Sequence, residues 1–215
     1  LNYVRDAGIN LGVASILVVL YLSLFSIGSA STDGDILQFT PRTRLLLISD
    51  DNNLTYRNDT FSFKIDYPTT WKVIENNPDS PLSVQEVVVN FYSPPELSSD
   101  FFSENLGISA TKLNDSQIKT LDGLAEALTP YYREIFGVRQ PLSSQDVFLG
   151  SNPAKKITFS YDLFGKTVEN TQIFSIESGY VYVINYLCEE SKCSTYLPTF
   201  NKMVDSFGFT LRNIM

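Results

Sequence analysis

Histidine is absent from this sequence, cysteine and methionine occur twice each, and tryptophan occurs once. Without histidine the commonest general base is missing, and with two cysteines the usual ligands of zinc, copper and haem are nearly absent as well. Positive charge is also scarce, with 16 Lys and Arg against 24 Asp and Glu, a formal net charge of -8. A phosphate-backbone binder carries a basic patch, so nucleic acid is excluded as an expected partner. No G-x-S-x-G elbow, G-x-G-x-x-G turn or phosphate-binding loop occurs. A serine nucleophile would have to use lysine or a carboxylate as its partner, and sequence alone does not place paired carboxylates in space. An enzyme is not the expectation, and no cofactor is called for.

What is abundant is apolar sequence. From Ala7 to Thr32 there is no charged residue, and "INLGVASILVVLYLSLFSI", Ile9 to Ile27, would span about 28 Å as a helix, close to a bilayer's hydrocarbon thickness. Residues 1–30 therefore read as a single transmembrane anchor. The rival reading is a secretory signal peptide, since "GSA" at Gly28 to Ala30 has a small-x-small cleavage form, although the run is longer than a usual signal core. Arg5 precedes the run and Asp33 and Asp35 follow it, which points the C-terminal part away from the cytoplasm. The expected location is the cell membrane, single-pass, with an extracytoplasmic domain in contact with the bilayer through its N-terminal helix. Gly8 and Gly12 form a G-x-x-x-G that would admit a neighbouring helix, or would simply fray the helix end.

Residues 31–57 read as a linker, with "STDGD", a Pro41-interrupted apolar stretch holding Leu45 to Ile48, and the turn-rich "DDNN". The domain of residues 58–215 begins with Phe61, Phe63, Ile65 and Tyr67 alternating with polar residues, the period of a half-buried strand. Val87, Val89 and Phe91 repeat it, as do Leu106, Ile108 and Ala110. Ile118, Leu121, Ala125, Leu128, Tyr132 and Ile135 fit one helical face, N-capped by Asp115 or Ser116 and ended by Gly137. "AKKITFSYD", "TQIFSIES" and "GYVYVINYL" read as an antiparallel meander, the last strand buried on both faces. Leu197, Phe200, Val204 and Phe207 form the stripe of a final helix, with Pro198 in its first turn. The fold class is α+β: a twisted antiparallel sheet with helices packed on its faces.

The opening "FSFKIDYPTTWKV", the middle "DVFLGSNPAKKITFSYD" and the closing "GYVYVINYLCEESKCSTYLPTFNKMVDSFGF" resemble the PsbP-type domain, the family of the extrinsic photosystem II protein and its bacterial and archaeal relatives. The likeness runs from Asn58 to Phe209. It implies an α/β/α sandwich and a binding or assembly module, docked on membrane-embedded protein subunits. The acidic balance and the glycosylation sequons fit an archaeal surface relative. A histidine-assisted manganese site proposed for plant members has no counterpart here, and any metal site is left unknown.

Pro68 lacks an N–H and disfavours helix at Tyr67, so it should close the first strand and leave Trp71 as an apolar plug where the chain re-enters the core. A ligand-stacking tryptophan is the alternative. Cys188 and Cys193 in "CEESKC" read as a disulfide in an exported domain, against a metal or redox centre that would lack further ligands. Asn53, Asn58 and Asn114 head N-glycosylation sequons. Three functions follow in order: an accessory subunit stabilising a membrane protein complex, an extracytoplasmic module binding a small ligand or cation on its own, and a hydrolase without a recognisable signature.

Overall fold

The computed structural model describes residues 52–76, 87–96, 102–113, 120–138, 142, 144–163 and 165–211. The apolar run Ile9 to Ile27, Gly8, Gly12, Leu45 to Ile48 and Asn114 lie outside the described residues, as do Asp115 and Ser116. Among the described residues, no helix is long and apolar enough to cross a membrane.

The described elements run β1 (Asn53–Asn58), β2 (Phe63–Pro68), β3 (Lys72–Glu75), β4 (Val87–Tyr92), β5 (Asn105–Lys112), α1 (Leu121–Phe136), β6 (Ser144–Leu149), β7 (Asn152–Leu163), β8 (Lys166–Glu177), β9 (Tyr180–Glu189), α2 (Cys193–Ser206) and β10 (Gly208–Phe209). Among them a seven-stranded antiparallel sheet has the order β3-β4-β5-β9-β8-β7-β6, and a separate three-stranded sheet has the order β1-β2-β10. The expectation of one sheet between helices is thus met in class but not in layers: α1 covers one face of the large sheet, and the small sheet together with α2 covers the other.

Alternation along β9 explains this arrangement. Tyr182, Ile184 and Tyr186 are buried in one core with Phe63, Ile65, Tyr67 and Phe200, while Val181, Val183 and Leu187 are buried in the other with Leu124, Leu128 and Tyr132 of α1. A strand with no polar face must lie between two layers, because its side chains point alternately to both. β7, β8 and β9 form the expected meander, turned at Gly165 and Gly179, each with φ 79°. Gly107 on β5 has a different role: a Cβ there would stand 2.6 Å from Asn90 Oδ1, so the position admits no side chain unless Asn90 moves.

Helix ends depart from the sequence expectation at their starts. α1 is N-capped by Thr120, whose hydroxyl accepts from Gly123 N at 3.1 Å, and not by Asp115 or Ser116. Gly137 closes it in the left-handed conformation as expected, at φ 65°. Lys155 of β7 ties α1 to the sheet, its Nζ 2.6 Å from Asp122 and 2.7 Å from Asp146 of β6. In α2 the carbonyl of Lys192 accepts from Thr195 N and Tyr196 N, so the first turn closes ahead of Pro198 and the proline falls beyond it. Its missing donor leaves the carbonyl of Ser194, an exposed residue. The inner stripe shifts in part: Phe200 and Phe207 are buried as expected, but Leu197 is 40% exposed, and Met203 is buried where Val204 is only half-buried.

β1 draws residues 53–57 out of the expected linker and pairs them with β2, from Asn53 opposite Pro68 to Asn58 opposite Phe63. Phe61 falls in the turn ahead of β2, because Ser62 at φ 54° interrupts the alternation before Phe63.

Candidate functional site

The Pro68 to Trp71 corner is where the chain leaves the small sheet and enters the edge of the large one. Pro68 ends β2, its carbonyl accepts from Trp71 N at 3.0 Å, and Thr69 N donates to Asn52 O at 3.0 Å. Trp71 is 6% exposed and meets Tyr196 of α2 edge to face, ring centroids 6.4 Å apart. The tryptophan therefore plugs the junction between sheet and helix, and Tyr67 lies beside it in the same core, 1% exposed.

Cys188, at the end of β9, and Cys193, first in α2, are joined by a disulfide with Cα atoms 5.3 Å apart. Among the described residues the converging set of potential metal ligands is Glu169, Cys188 and Cys193, with ligand atoms within 4.8 Å of one another. Both sulfurs are spent on each other, so neither offers the thiolate that a metal requires.

Around this disulfide lies a cluster that sequence reasoning missed. Glu104, immediately ahead of β5, is 1% exposed, and its Oε2 accepts from Ser93 Oγ at 3.1 Å while its Oε1 has no hydrogen-bond partner. Ser93 N also donates to Glu104 O at 2.8 Å, which docks the chain beyond β4 against the start of β5. Tyr196 OH donates to Glu96 Oε1 at 3.0 Å, and Lys192 Nζ lies 3.0 Å from Glu96 Oε2. The first turn of α2 is thereby held to the segment after β4 by a phenol and an ammonium sharing one carboxylate. Tyr186, 1% exposed, stacks on Phe200 with centroids 4.3 Å apart, and its hydroxyl is unpartnered.

The electrostatics follow from that enclosure. Burial pushes the Glu104 carboxyl above its ordinary value, opposed by its own backbone hydrogen bond, the Ser93 hydroxyl and the Lys192 ammonium, and reinforced by Glu96. Burial, followed by the hydrogen bond to Glu96 and the charge of Glu104, pushes the Tyr196 phenol up to about 12. The Tyr186 phenol is raised as well, first by burial and then by Glu104 and Glu169. On the rim, the Lys166 ammonium 2.5 Å from Glu189 Oε2 holds that carboxyl below its ordinary value.

A carboxyl kept toward its neutral form beside raised phenols is what a general acid needs, but general acid catalysis also needs reach to a substrate. Glu104 is sealed beneath Ser93 and the first turn of α2, so the cluster acts as a polar clamp between β4, β5 and α2. The signal for it was present: Leu106, Ile108 and Ala110 face one core, and the same alternation extended back by two residues lands on Glu104.

The sequons are placed differently from one another. Asn53 opens β1 and is half-buried. The Asn58 amide is engaged, its Oδ1 accepting from Phe61 N at 2.9 Å and its Nδ2 donating to Tyr56 OH at 3.2 Å, so it shapes the β1–β2 turn.

No protein-family model and no curated protein matches this chain. Solved structures do. The solution structure of cyanobacterial PsbP (CyanoP) from Synechocystis sp. PCC 6803 superposes with a TM-score of 0.54 at 15% identity, covering 85% of this chain and 99% of that one. The Ran-binding protein Mog1p of Saccharomyces cerevisiae gives 0.47 at 9% identity, covering 74% and 95%. LpqN, involved in cell envelope biogenesis of Mycobacterium tuberculosis, gives 0.45 at 16% identity, covering 69% and 83%. The fold is PsbP-like, in keeping with the motifs that carry the resemblance in sequence.

Proposed function

We propose that this chain is a non-catalytic accessory subunit whose PsbP-like domain docks on a membrane protein complex and stabilises it. The observation that carries the proposal is the fold, which spans nearly the whole of the cyanobacterial PsbP structure. The enclosure of Glu104 supports it, since the carboxyl that burial pushes above its ordinary value serves internal packing. In this reading Ile9 to Ile27 anchors the chain in the bilayer, and the domain works on the extracytoplasmic side. The apolar connector Leu45 to Ile48 lies against the partner, because a free-standing linker gains nothing from a run of leucines.

Native membranes solubilised in mild detergent test this. The chain is expected to migrate within a particle much larger than its own 24.2 kDa plus a micelle. Leu46→Asp and Leu47→Asp should release it from that particle. Migration as an isolated chain, indifferent to both substitutions, contradicts the proposal.

A further inference from the structure

At the opposite end of β9 from the disulfide, where the small sheet meets the β8–β9 hairpin, a cavity of about 190 Å³ opens between the layers. Tyr182 and Phe209 line it, their rings edge to face with centroids 4.9 Å apart. The Tyr182 hydroxyl donates to Phe61 O at 2.8 Å, which fixes that ring. Glu177 is the only acid of the lining. Its two oxygens accept from Asn152 Nδ2 at 2.5 Å and from Ser178 Oγ at 2.6 Å, so the carboxylate is held in place by neutral donors. Among the described ion pairs no lysine or arginine neutralises it.

Ser62, Ser178 and Thr210 complete the polar part of the lining, and the exposed Leu211 stands at its rim. The Thr210 hydroxyl oxygen is buried without a hydrogen-bond partner. Ser62 and Ser178 both hold the left-handed backbone, at φ 54° and 50°, because each lies in a tight turn: Ser62 between β1 and β2, and Ser178 with Gly179 as the two-residue loop of the β8–β9 hairpin. A preset carboxylate, an aromatic corner and an unused hydroxyl thus surround one space.

The size and chemistry of that space select its occupant. It falls below the roughly 300 Å³ at which pockets for drug-sized ligands begin, so it takes a head group with a few carbons. One carboxylate on a half-aromatic wall is a poor cage for a metal ion that needs six or more oxygens at contact distance. An anion is opposed by Glu177. An alkylated nitrogen cation suits this lining: the aromatic carbons cover its alkyl groups, the carboxylate keeps free lone pairs for charge-assisted bonding, and the hydroxyls accept remaining protons. We infer that this cavity binds an alkylammonium cation, supplied by a free amine or by a lysine side chain.

The test is calorimetric titration of the full chain in a non-ionic detergent with tetramethylammonium, with butylamine, with a blocked lysine tripeptide and with tert-butanol as an uncharged control. Saturable binding of one cation per chain is expected, with no saturable heat from the alcohol. Glu177→Gln should weaken cation binding by about tenfold or more, the loss of one charge-assisted contact. Thr210→Val, which preserves shape, should weaken it severalfold and serves if the first variant does not fold. Tighter binding of the tripeptide than of butylamine assigns the site to a lysine of a protein, and the reverse assigns it to a free amine. Cation heats no greater than those of the alcohol, or affinity unchanged in both variants, overturn the inference.

Discussion

Tyr186 stacks on Phe200 with ring planes 16° apart, yet its hydroxyl is buried without a partner in the core beside Glu104. The ring therefore stabilises the contact of α2 with β9 while the oxygen opposes it, since an unpaired buried hydroxyl costs about 1–3 kcal/mol. Tyr186→Phe is expected to raise the unfolding free energy by about 1 kcal/mol. Denaturant titration of both forms checks this, and a destabilised variant would mean that the hydroxyl has a partner in solution.

Glu104 sets a pH dependence whose sign follows from burial. Its folded pKa lies above the ordinary carboxyl value of 4.5, so the folded state holds this proton more tightly than the unfolded chain does. The contribution is complete below about pH 4.5 and is lost as pH rises through the folded value. Stability measured against pH should therefore decline more steeply above pH 4.5 in the natural chain than in Glu104→Gln, which has no proton to lose. Parallel curves for the two proteins would contradict the enclosure of this carboxyl.

Trp71→Ala removes the plug at the sheet-to-sheet corner and its edge contact with Tyr196. Large core truncations of this kind cost about 3–5 kcal/mol. The melting temperature should drop accordingly, and an unchanged one would make the tryptophan a surface contact.

The disulfide closes a loop of sequence separation 5 between β9 and α2, worth about 2 kcal/mol by chain entropy. Alkylation without reductant should leave the intact mass unchanged, and alkylation after reduction should add two groups and lower the melting temperature. Two freely alkylated thiols without reductant would contradict the bond.

The meander of β7, β8 and β9 was legible because each strand is a long run rich in β-branched and aromatic residues and each break carries a glycine at a turn. Trp71 was legible for a related reason, as Pro68 marks the end of a strand by its own chemistry. The second sheet was not. β10 has two residues, and its pairing of Phe209 with Phe63 joins opposite ends of the domain, which no local period announces. The start of β1 hides in turn-type residues that read as linker. The Glu104 clamp escaped for the same physical reason: Glu96 and Tyr196 stand 100 positions apart in sequence, and only the folded packing of α2 against β4 and β5 brings them within a hydrogen bond.

Chemical cross-linking in intact native membranes, before any detergent is added, followed by isolation of this chain and mass spectrometry, tests the assignment as an accessory subunit most directly. The expected result is a small set of membrane proteins cross-linked to lysines of residues 52–211 in fixed ratio to the chain, reproducible between preparations. Recovery of the chain alone, or of a scatter of abundant proteins in no fixed ratio, would contradict it.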